Sequence, residues 1–240
     1  MNTLNSLLFD TSSKDYNSNL QILLDLVNQT STDSFIVAPE VCLTGFAYDN
    51  YENALDFADG ANEAIKKASK DKTIILTMLE RDDNKVYNFV KIFHNGEIVW
   101  KRAKAKLFRF GDEHKYMSEG SSSEVEIVEV DGLKIGVVIC FELRFKDYWQ
   151  KLEGCDIIAV PSWWGVLRTE HFKILTSALA VMNQCYVVAS DSLNEECTKM
   201  SGIISPMGDE LRNGNKPCLR VEYNKQEIQK MRRYMDVGIK

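Results

Sequence analysis

Five short runs of apolar residues constrain the fold of this chain more than any other feature. They lie at residues 34–38, 73–79, 133–139, 156–160 and 186–190. Most of them show no alternation of polar and apolar side chains, which is typical of strands that are buried on both faces. Such strands need a helix layer or a second sheet over each face, so the pattern predicts an α/β protein.

Two amphipathic segments supply helices for this architecture. Residues 15–29 carry one apolar face behind Asp15, a candidate N-cap, and residues 169–184 repeat the pattern. The predicted buried face of the second helix consists of Phe172, Leu175, Leu179 and Met182.

A turn signal in the middle of the chain adds antiparallel pairing. Asn95-Gly96 separates the strand-like runs NFVKIF and EIVWK, and this dipeptide between two such runs predicts a β-hairpin. A hairpin breaks a purely parallel sheet, and the mixture therefore predicts a two-layer or four-layer α/β sandwich.

Length and composition indicate one domain. The 240 residues could form one large α/β domain or two small ones, but no linker rich in Pro, Gly or Ser divides the chain. One domain spanning residues 1–240 is therefore expected.

The N-terminus MNTLNSLLFD lacks the basic start and apolar core of a signal peptide, and no run approaches the ~20 apolar residues of a membrane helix. We expect a cytoplasmic protein without a membrane partner.

The cysteines, the histidines and the net charge disfavour two classes of function. Six cysteines lie far apart without a C-x-x-C pair, and the three histidines are scattered, so reduced thiols are expected rather than disulfides or a zinc site. The formal net charge of −6 disfavours a general nucleic-acid binder, which needs a basic surface to replace counterions.

Two of the predicted strands end alike, in FIVAPE at 35–40 and IIAVPS at 157–162. In each case a proline closes the apolar run and a polar side chain follows, at the carboxyl end of a strand where open α/β sheets hold their sites. Glu40 is the reactive residue of the first ending. Partial desolvation there would raise its pKa toward the range of a general base, although an ordinary loop glutamate is the alternative.

A third strand, in GVVICFELRF at 136–145, delivers Cys140 at its end. A helical turn directly after the thiol would offer backbone amides that favour the thiolate and could bind an oxyanion. The alternative is that Cys140 is a small buried hydrophobic residue. A nucleophile also needs a base and an electrostatic partner.

The basic stretch WKRAKAKLFRFGDEHKYM at 100–117 could supply that partner. A run of this kind is usually a solvated face, but apolar residues interrupt it and Asp112-Glu113 follow at once. A lysine buried among carboxylates beside a thiol would be an oxyanion donor.

Together, these three stretches resemble the signatures of the nitrilase superfamily of carbon-nitrogen hydrolases. The family segments P-E-x-x-L-[ST]-G-[YF], K-x-H-L-F and G-[VI]-x-I-C-[YF]-[DE]-x-R-F occur in this order. Here they read PEVCLTGF at 39–46, KAKLF at 104–108 and GVVICFELRF at 136–145. The likeness runs from the first strand to SGIISPMGDEL at 201–211.

The resemblance implies a four-layer α-β-β-α sandwich and a role for each matched residue. Glu40 would be the general base, Lys104 the stabiliser of the tetrahedral intermediate and Cys140 the nucleophile. Glu113 matches a further family glutamate that positions substrate and triad, and the Phe141 amide would belong to the oxyanion hole. The family needs no metal or organic cofactor, and a homodimer that stacks two sandwiches is implied. The turn that follows Cys140, residues 140–145, is called the elbow below. Its charged residues Glu142 and Arg144 are interpreted as supports of this turn rather than as participants in a chemical step.

The segments FRFGDEHKY and SWWGVLRTEHF are most similar to the omega-amidase branch, which hydrolyses ω-amides of dicarboxylic 2-oxo acids. This resemblance makes Trp163, Trp164 and Arg168 candidate substrate contacts, since an arginine suits a substrate carboxylate. Core packing is the alternative for both tryptophans. The expected partner is a small-molecule amide, cleaved through a thioester with release of ammonia.

Several departures from the family pattern affect the pocket and the assembly surface rather than the triad. Lys106 replaces the histidine of K-x-H-L-F, Lys146 replaces a proline, and Trp163 and Gly165 replace Asn and Pro. Leu179 and Met182 replace the charged residues of R-A-x-E-N. The alternatives are therefore an amidohydrolase acting on N-carbamoyl amines or deaminated glutathione, a nitrilase, and a non-catalytic scaffold protein that keeps the fold.

Overall fold

The computed structural model describes residues 1–12, 15–212 and 216–239. Its strands are β1 (Thr3–Leu7), β2 (Ser34–Val37), β3 (Lys72–Asp82), β4 (Lys85–His94), β5 (Glu97–Ala103), β6 (Val128–Val130), β7 (Leu133–Val137), β8 (Ile157–Pro161), β9 (Tyr186–Ser190), β10 (Gly202–Ile204), β11 (Glu210–Arg212) and β12 (Cys218–Glu222). Its α-helices are α1 (Tyr16–Asn28), α2 (Tyr51–Ala68), α3 (Glu113–Tyr116), α4 (Lys146–Lys151), α5 (Thr169–Asn183) and α6 (Lys225–Tyr234).

The strands form two mixed sheets of six. The first has the order β12-β1-β2-β3-β4-β5 and the second the order β11-β10-β9-β8-β7-β6. Each sheet contains three adjacent parallel strands, β1-β2-β3 in the first and β7-β8-β9 in the second, flanked by antiparallel strands. The carboxyl ends of the parallel strands therefore carry the loops that follow Val37, Val137 and Pro161.

Helices cover the outer faces of the two sheets. On the first sheet, Ile36 and Ile74 pack with Val27 of α1 and Ile65 of α2 in one buried cluster. A second cluster joins the inner face of the first sheet to the second sheet and continues to Phe172 of α5. The four layers α-β-β-α confirm the predicted fold class.

The five predicted strands are confirmed as β2, β3, β7, β8 and β9. The hairpin is confirmed as β4-β5, where Asn95 at φ 49° and Gly96 at φ 87° take the left-handed conformations that such a turn requires. Asp15 caps α1, since its carboxylate accepts a hydrogen bond of 2.9 Å from the Ser18 amide.

The prediction for α5 is wrong at Met182, whose side chain is 64% exposed. The buried residues Phe172, Thr176, Leu179 and Asn183 define the inner face of the helix. At 3.6 residues per turn, Met182 lies about 100° from the centre of that face. The four predicted residues are spaced by 3, 4 and 3 positions, which averages less than the 3.6 residues of one turn. Each step therefore rotates the predicted face further away from the buried face of the helix.

Among the described residues, the helices are too short or too polar for any of them to cross a membrane.

Candidate active site

The candidate site lies where the loops after β2, β5, β7 and β8 meet. These loops carry Glu40, Lys104, Cys140 and Trp163, and the Glu40 amide donates a hydrogen bond of 3.1 Å to the Ser162 carbonyl. The two similar strand endings predicted from the sequence are therefore bonded to each other across the sheets. Cys140 opens into a cavity of about 250 Å³, whereas Glu40 and Lys104 are fully buried behind it.

Lys104 is the centre of the charged cluster. Its Nζ donates hydrogen bonds of 2.7 Å to Oε1 of Glu40 and 2.8 Å to Oε1 of Glu113. Burial opposes its charge, but Glu40, Glu113 and Cys140 together raise the pKa of the ammonium above its ordinary value. Lys104 is therefore a fixed cation beside the thiol.

Glu40 keeps one carboxylate oxygen free. Oε1 accepts hydrogen bonds from Lys104 and from Nδ2 of Asn88, the latter at 2.8 Å, whereas the buried Oε2 has no hydrogen-bond partner among the described residues. Burial raises the pKa of this carboxyl, Lys104 acts in the opposite direction, and Glu113 adds to the rise. A carboxylate with an elevated pKa and a vacant oxygen has the properties of a general base.

Cys140 lies at the start of the 3₁₀ turn Cys140–Arg144 with φ 44°, a left-handed conformation that is strained for a residue with a side chain. Its thiol donates a hydrogen bond of 3.6 Å to the Trp163 carbonyl. Burial, and then the charge of Glu40, raise the pKa of the thiol well above its ordinary value, with Lys104 acting in the opposite direction.

The stabilisation of the thiolate by amides of the following turn stays a prediction. Burial and two nearby carboxylates act in the opposite direction, since they raise the pKa of Cys140 and favour the protonated thiol. A base must remove that proton when the sulfur attacks.

Glu113, at the start of α3, is placed by two contacts. One oxygen accepts from Lys104, and the other accepts a hydrogen bond of 2.9 Å from the Phe108 amide. The structure thus brings Glu40, Lys104, Glu113 and Cys140 together, although they come from four separate segments.

Aromatic side chains dominate the wall of the cavity. They are Phe46, Tyr48, Phe108, Phe141, Trp163 and Trp164. Trp163 is half-buried, and its ring packs 6.0 Å from that of Phe46. Trp164 is almost fully buried, with its indole Nε1 donating to the Arg168 carbonyl at 2.9 Å, so it both packs in the core and borders the cavity.

Two arginines also line the cavity, and the described residues provide neither with a carboxylate partner. Arg168, predicted as a substrate contact, stacks 5.1 Å from the Phe108 ring centre. Arg144 stacks 4.8 Å from the ring of Trp164 and donates to His171 Nδ1 at 3.0 Å. Burial, and then the like charge of Arg168, lower the pKa of Arg144. The pair is suited to an anionic group.

The two charged residues of the elbow have different positions. Glu142 is fully buried under the turn and accepts a hydrogen bond of 2.8 Å from the Ile139 amide, as expected of a support. Arg144 lies in the cavity wall instead, because the 3₁₀ turn directs it to the side of Trp164.

Sequence reasoning missed Asn88 and Asp191, and it did not predict that Arg144 lines the cavity. Asp191 is fully buried after β9, and its carboxylate accepts hydrogen bonds from the Trp164 amide at 2.8 Å and the Thr198 hydroxyl at 2.7 Å. A polar residue directly after a buried strand, the signal that found Glu40, also marks Asp191. Asn88 could have been found as a polar residue within the apolar run NFVKIF.

No three histidine, cysteine, aspartate or glutamate side chains within the described ranges are grouped so that they could hold a metal ion.

Comparisons with known proteins give a consistent result. A family model described as carbon-nitrogen hydrolase matches residues 9–216. The chain is 30% identical to the 2-oxoglutaramate amidase of Bacillus subtilis (strain 168), across 98% of this chain and 95% of that protein. It is 26% identical to the deaminated glutathione amidase of Escherichia coli O157:H7, across 80% and 79% of the two chains.

One solved structure illustrates the shared fold. Saccharomyces cerevisiae Nit3, a member of branch 10 of the nitrilase superfamily, matches with a TM-score of 0.85 over 98% of this chain and 94% of Nit3, at 22% identity.

Proposed function

This chain belongs to the carbon-nitrogen hydrolase family, and from that premise we propose that Cys140 hydrolyses a small amide through a thioester intermediate. The amidase relatives support an amidase-type hydrolase. The observation that carries the mechanism is the grouping of Glu40, Lys104 and Glu113 beside the Cys140 thiol, with Oε2 of Glu40 not bonded to Lys104 or Asn88.

In the first half of the reaction, the Cys140 sulfur attacks the amide carbon and its proton passes to Glu40. Lys104 and the Phe141 amide stabilise the oxyanion that develops on the carbonyl oxygen. As the C–N bond breaks, Glu40 returns the proton to the leaving nitrogen, and ammonia departs from the thioester.

In the second half, Glu40 accepts a proton from water as the water oxygen attacks the thioester carbon. The carbon–sulfur bond breaks, the sulfur takes back the proton, and the carboxylic acid is released. Glu113 holds Lys104 in place throughout, since its carboxylate remains bonded to the ammonium.

For the substrate, we favour an ω-amide of a 2-oxo dicarboxylic acid. The two arginines without carboxylate partners would bind the far carboxylate, and planar guanidinium groups suit that shape. The cavity of about 250 Å³ is smaller than the ~300–1,000 Å³ typical of sites for drug-sized ligands, so a short acyl chain fits its size.

The alternative substrate is deaminated glutathione, which the amidase relative from Escherichia coli supports. This compound is longer, and it would have to extend beyond the cavity to place its amide at Cys140. A scaffold role receives less support, since Glu40, Lys104 and Glu113 are in contact and lie close to Cys140. N-carbamoyl amines and nitriles stay as alternatives, because their hydrolysis would use the same four residues.

A panel of 2-oxoglutaramate, deaminated glutathione, an N-carbamoyl amine and a simple amide tests this proposal through ammonia release. We expect 2-oxoglutaramate to give the highest kcat/KM and Cys140→Ala to release none. Arg144→Ala and Arg168→Ala should each raise KM for 2-oxoglutaramate by about 10- to 100-fold, the worth of one charged hydrogen bond. The amide without a carboxylate is the matched control, and its KM should not change.

An equal effect of the arginine variants on both amides would contradict the carboxylate assignment. Ammonia release by Cys140→Ala at the wild-type rate would contradict the mechanism.

We also propose that the protein forms a homodimer through the outer face of α5. Ile174 and Met182 are 61% and 64% exposed, and Met207 is 53% exposed in a turn that packs against this helix near Val181. Apolar side chains grouped in this way favour an interface. Light scattering should show a dimer that dissociates in Met182→Asp, with the exposed Met235→Asp as control.

A further inference from the structure

We propose that Glu142, held by Arg102, is a positioning residue that sets the nucleophile segment and the lysine segment at a fixed separation. This inference rests on the proposed function, since it concerns the same site. Glu142 makes no contact with the cavity, so it acts through the residues that it holds.

The acceptor positions of the Glu142 carboxylate are filled by four hydrogen bonds. Oε1 accepts from Nη1 of Arg102 at 2.9 Å and from the Ala105 amide at 2.7 Å. Oε2 accepts from Nη2 of Arg102 at 2.6 Å and from the Ile139 amide at 2.8 Å. Both side chains are essentially inaccessible to solvent. Such a closed arrangement is rigid, because water cannot replace any of these bonds.

The two amides belong to residues adjacent to the reacting groups. Ile139 directly precedes Cys140, and Ala105 directly follows Lys104. Lys104 follows β5 of the first sheet, whereas Cys140 follows β7 of the second. One carboxylate therefore connects the backbones of the nucleophile and the lysine across the boundary between the sheets.

Arg102 extends this connection. In addition to Glu142, its guanidinium donates to the Val137 carbonyl at 2.9 Å and to the Ala103 carbonyl at 3.1 Å. Val137 is the last residue of β7, and Ala103 is the last of β5. The side chain thus bonds the ends of both strands just before the reacting residues.

The bond to Ile139 also closes the strained turn. The Glu142 amide donates to the Ile139 carbonyl at 2.9 Å while the Glu142 side chain accepts from the Ile139 amide. This reciprocal pair holds Cys140 at φ 44° and fixes the direction of the Phe141 amide. Loss of the carboxylate should let the turn relax and move the sulfur relative to Glu40 and Lys104.

Two variants test the role. Glu142→Gln keeps the shape of the side chain. It places the amide NH₂ group against the N–H donors that the replaced carboxylate oxygen accepts from. The double variant Arg102→Met with Glu142→Leu removes both charges and leaves an apolar pair, a replacement that buried ion pairs often tolerate. We expect both to lower kcat for 2-oxoglutaramate by about 100-fold, as a misplacement of about 1 Å can do, with little change in KM.

Alkylation of Cys140 by iodoacetamide gives a readout that needs no substrate. The rate in both variants should fall about tenfold, because a displaced sulfur no longer meets the Glu40 carboxylate that takes up its proton. The matched control is Lys91→Met, which breaks the buried Lys91–Glu80 pair beneath α2. It should lower Tm and leave the alkylation profile of Cys140 unchanged.

A folded double variant with the kcat and alkylation profile of wild type would overturn the positioning role. If the double variant does not fold, Glu142→Gln decides the question by the same two measurements. Should wild type fail to cleave any amide while Cys140 alkylation still slows in the variants, the proposed function is wrong and the positioning role stands.

Discussion

Two buried charge clusters meet at the end of β5. They differ in whether every carboxylate oxygen has a hydrogen-bond partner. Arg102 faces a single carboxylate, Glu142, whose two oxygens accept four hydrogen bonds. Lys104, two residues later, faces two carboxylates, and one oxygen of Glu40 has no hydrogen-bond partner among the described residues.

This difference distinguishes a structural cluster, Arg102–Glu142, from a reactive one, the cluster around Lys104. Buried ions are stable when their hydrogen-bonding positions are filled. Both oxygens of Glu142 meet this condition, whereas Nε of Arg102 has no hydrogen-bond partner among the described residues. The Lys104 cluster keeps an unfilled position where the thiol lies, and it holds one more carboxylate than its lysine can neutralise. The Arg102–Glu142 pair, the closed cluster, has no carboxylate oxygen without a hydrogen bond. The cluster of Lys104, Glu40 and Glu113, the open cluster, has one that can take up a proton.

The largest expected effect comes from replacing the Glu40 carboxylate with a group of similar shape that cannot accept a proton. Glu40→Gln keeps the bond to Lys104 through its amide oxygen but removes the base, so kcat should fall by about 10³-fold, within the range known for general bases. Ammonia release under saturating 2-oxoglutaramate measures this.

The pH dependence of the same variant provides the control. Because burial raises the pKa of Glu40, the acid limb of kcat/KM in wild type should lie above the ordinary value of 4.5. Glu40→Gln should lack this limb. An unchanged acid limb in the variant would assign the proton transfer to another group.

A second effect concerns stability. Lys104→Met leaves Glu40 and Glu113 buried without their shared cation, which should cost about 3–5 kcal/mol in free energy of unfolding at neutral pH. The loss should become smaller at acidic pH as one carboxyl takes up a proton. Urea denaturation at several pH values measures both.

Lys106→Met is the matched control, since the structure gives Lys106 a ring contact with Phe145 and no salt bridge within its described part. Its effect should stay within about 0.5 kcal/mol. A loss for Lys104→Met as small as that of the control would show that the open cluster carries no buried charge.

The last effect concerns another buried carboxylate, Asp191, which has hydrogen bonds but no cation partner among the described residues. Burial raises the pKa of Asp191 from 3.8 to about 7. Between these values the folded protein holds a proton that the unfolded chain has released. The contribution of the protonated carboxyl is therefore present at low pH and is lost as the pH rises through about 7.

Asp191→Asn removes this titration. The free energy of unfolding of wild type, relative to the variant, should decrease as the pH rises across this window and stay constant above it. Urea titrations of both proteins at several pH values measure the difference. A difference that does not change with pH would show that Asp191 stays charged.

Local patterns in the sequence were sufficient for much of the fold. Unbroken apolar runs identified five strands, and Asn95-Gly96 identified the hairpin, because each signal depends on neighbouring residues alone. Met182 was misplaced because small errors in helical spacing add up along α5. The order of strands within each sheet depends on long-range pairing, which no local pattern contains.

The site was predictable only in part. Glu40, Lys104 and Cys140 were proposed from strand endings and from family motifs, yet nothing local shows that residues 64 and 36 positions apart meet. Arg102 belongs to a run that resembles a solvated face, and its burial depends on Glu142 in the other sheet. Arg144 was assigned to the elbow because the direction of a side chain on a 3₁₀ turn cannot be derived from composition.

The most direct test of the central claim is the mass of the Cys140 peptide after wild-type protein is mixed with 2-oxoglutaramate and quenched in acid. A thioester intermediate should give a mass increase equal to the acyl part of the amide, located on Cys140, removed by hydroxylamine and absent from Cys140→Ala. Turnover of the amide with no such adduct, or with an adduct on another residue, would contradict it.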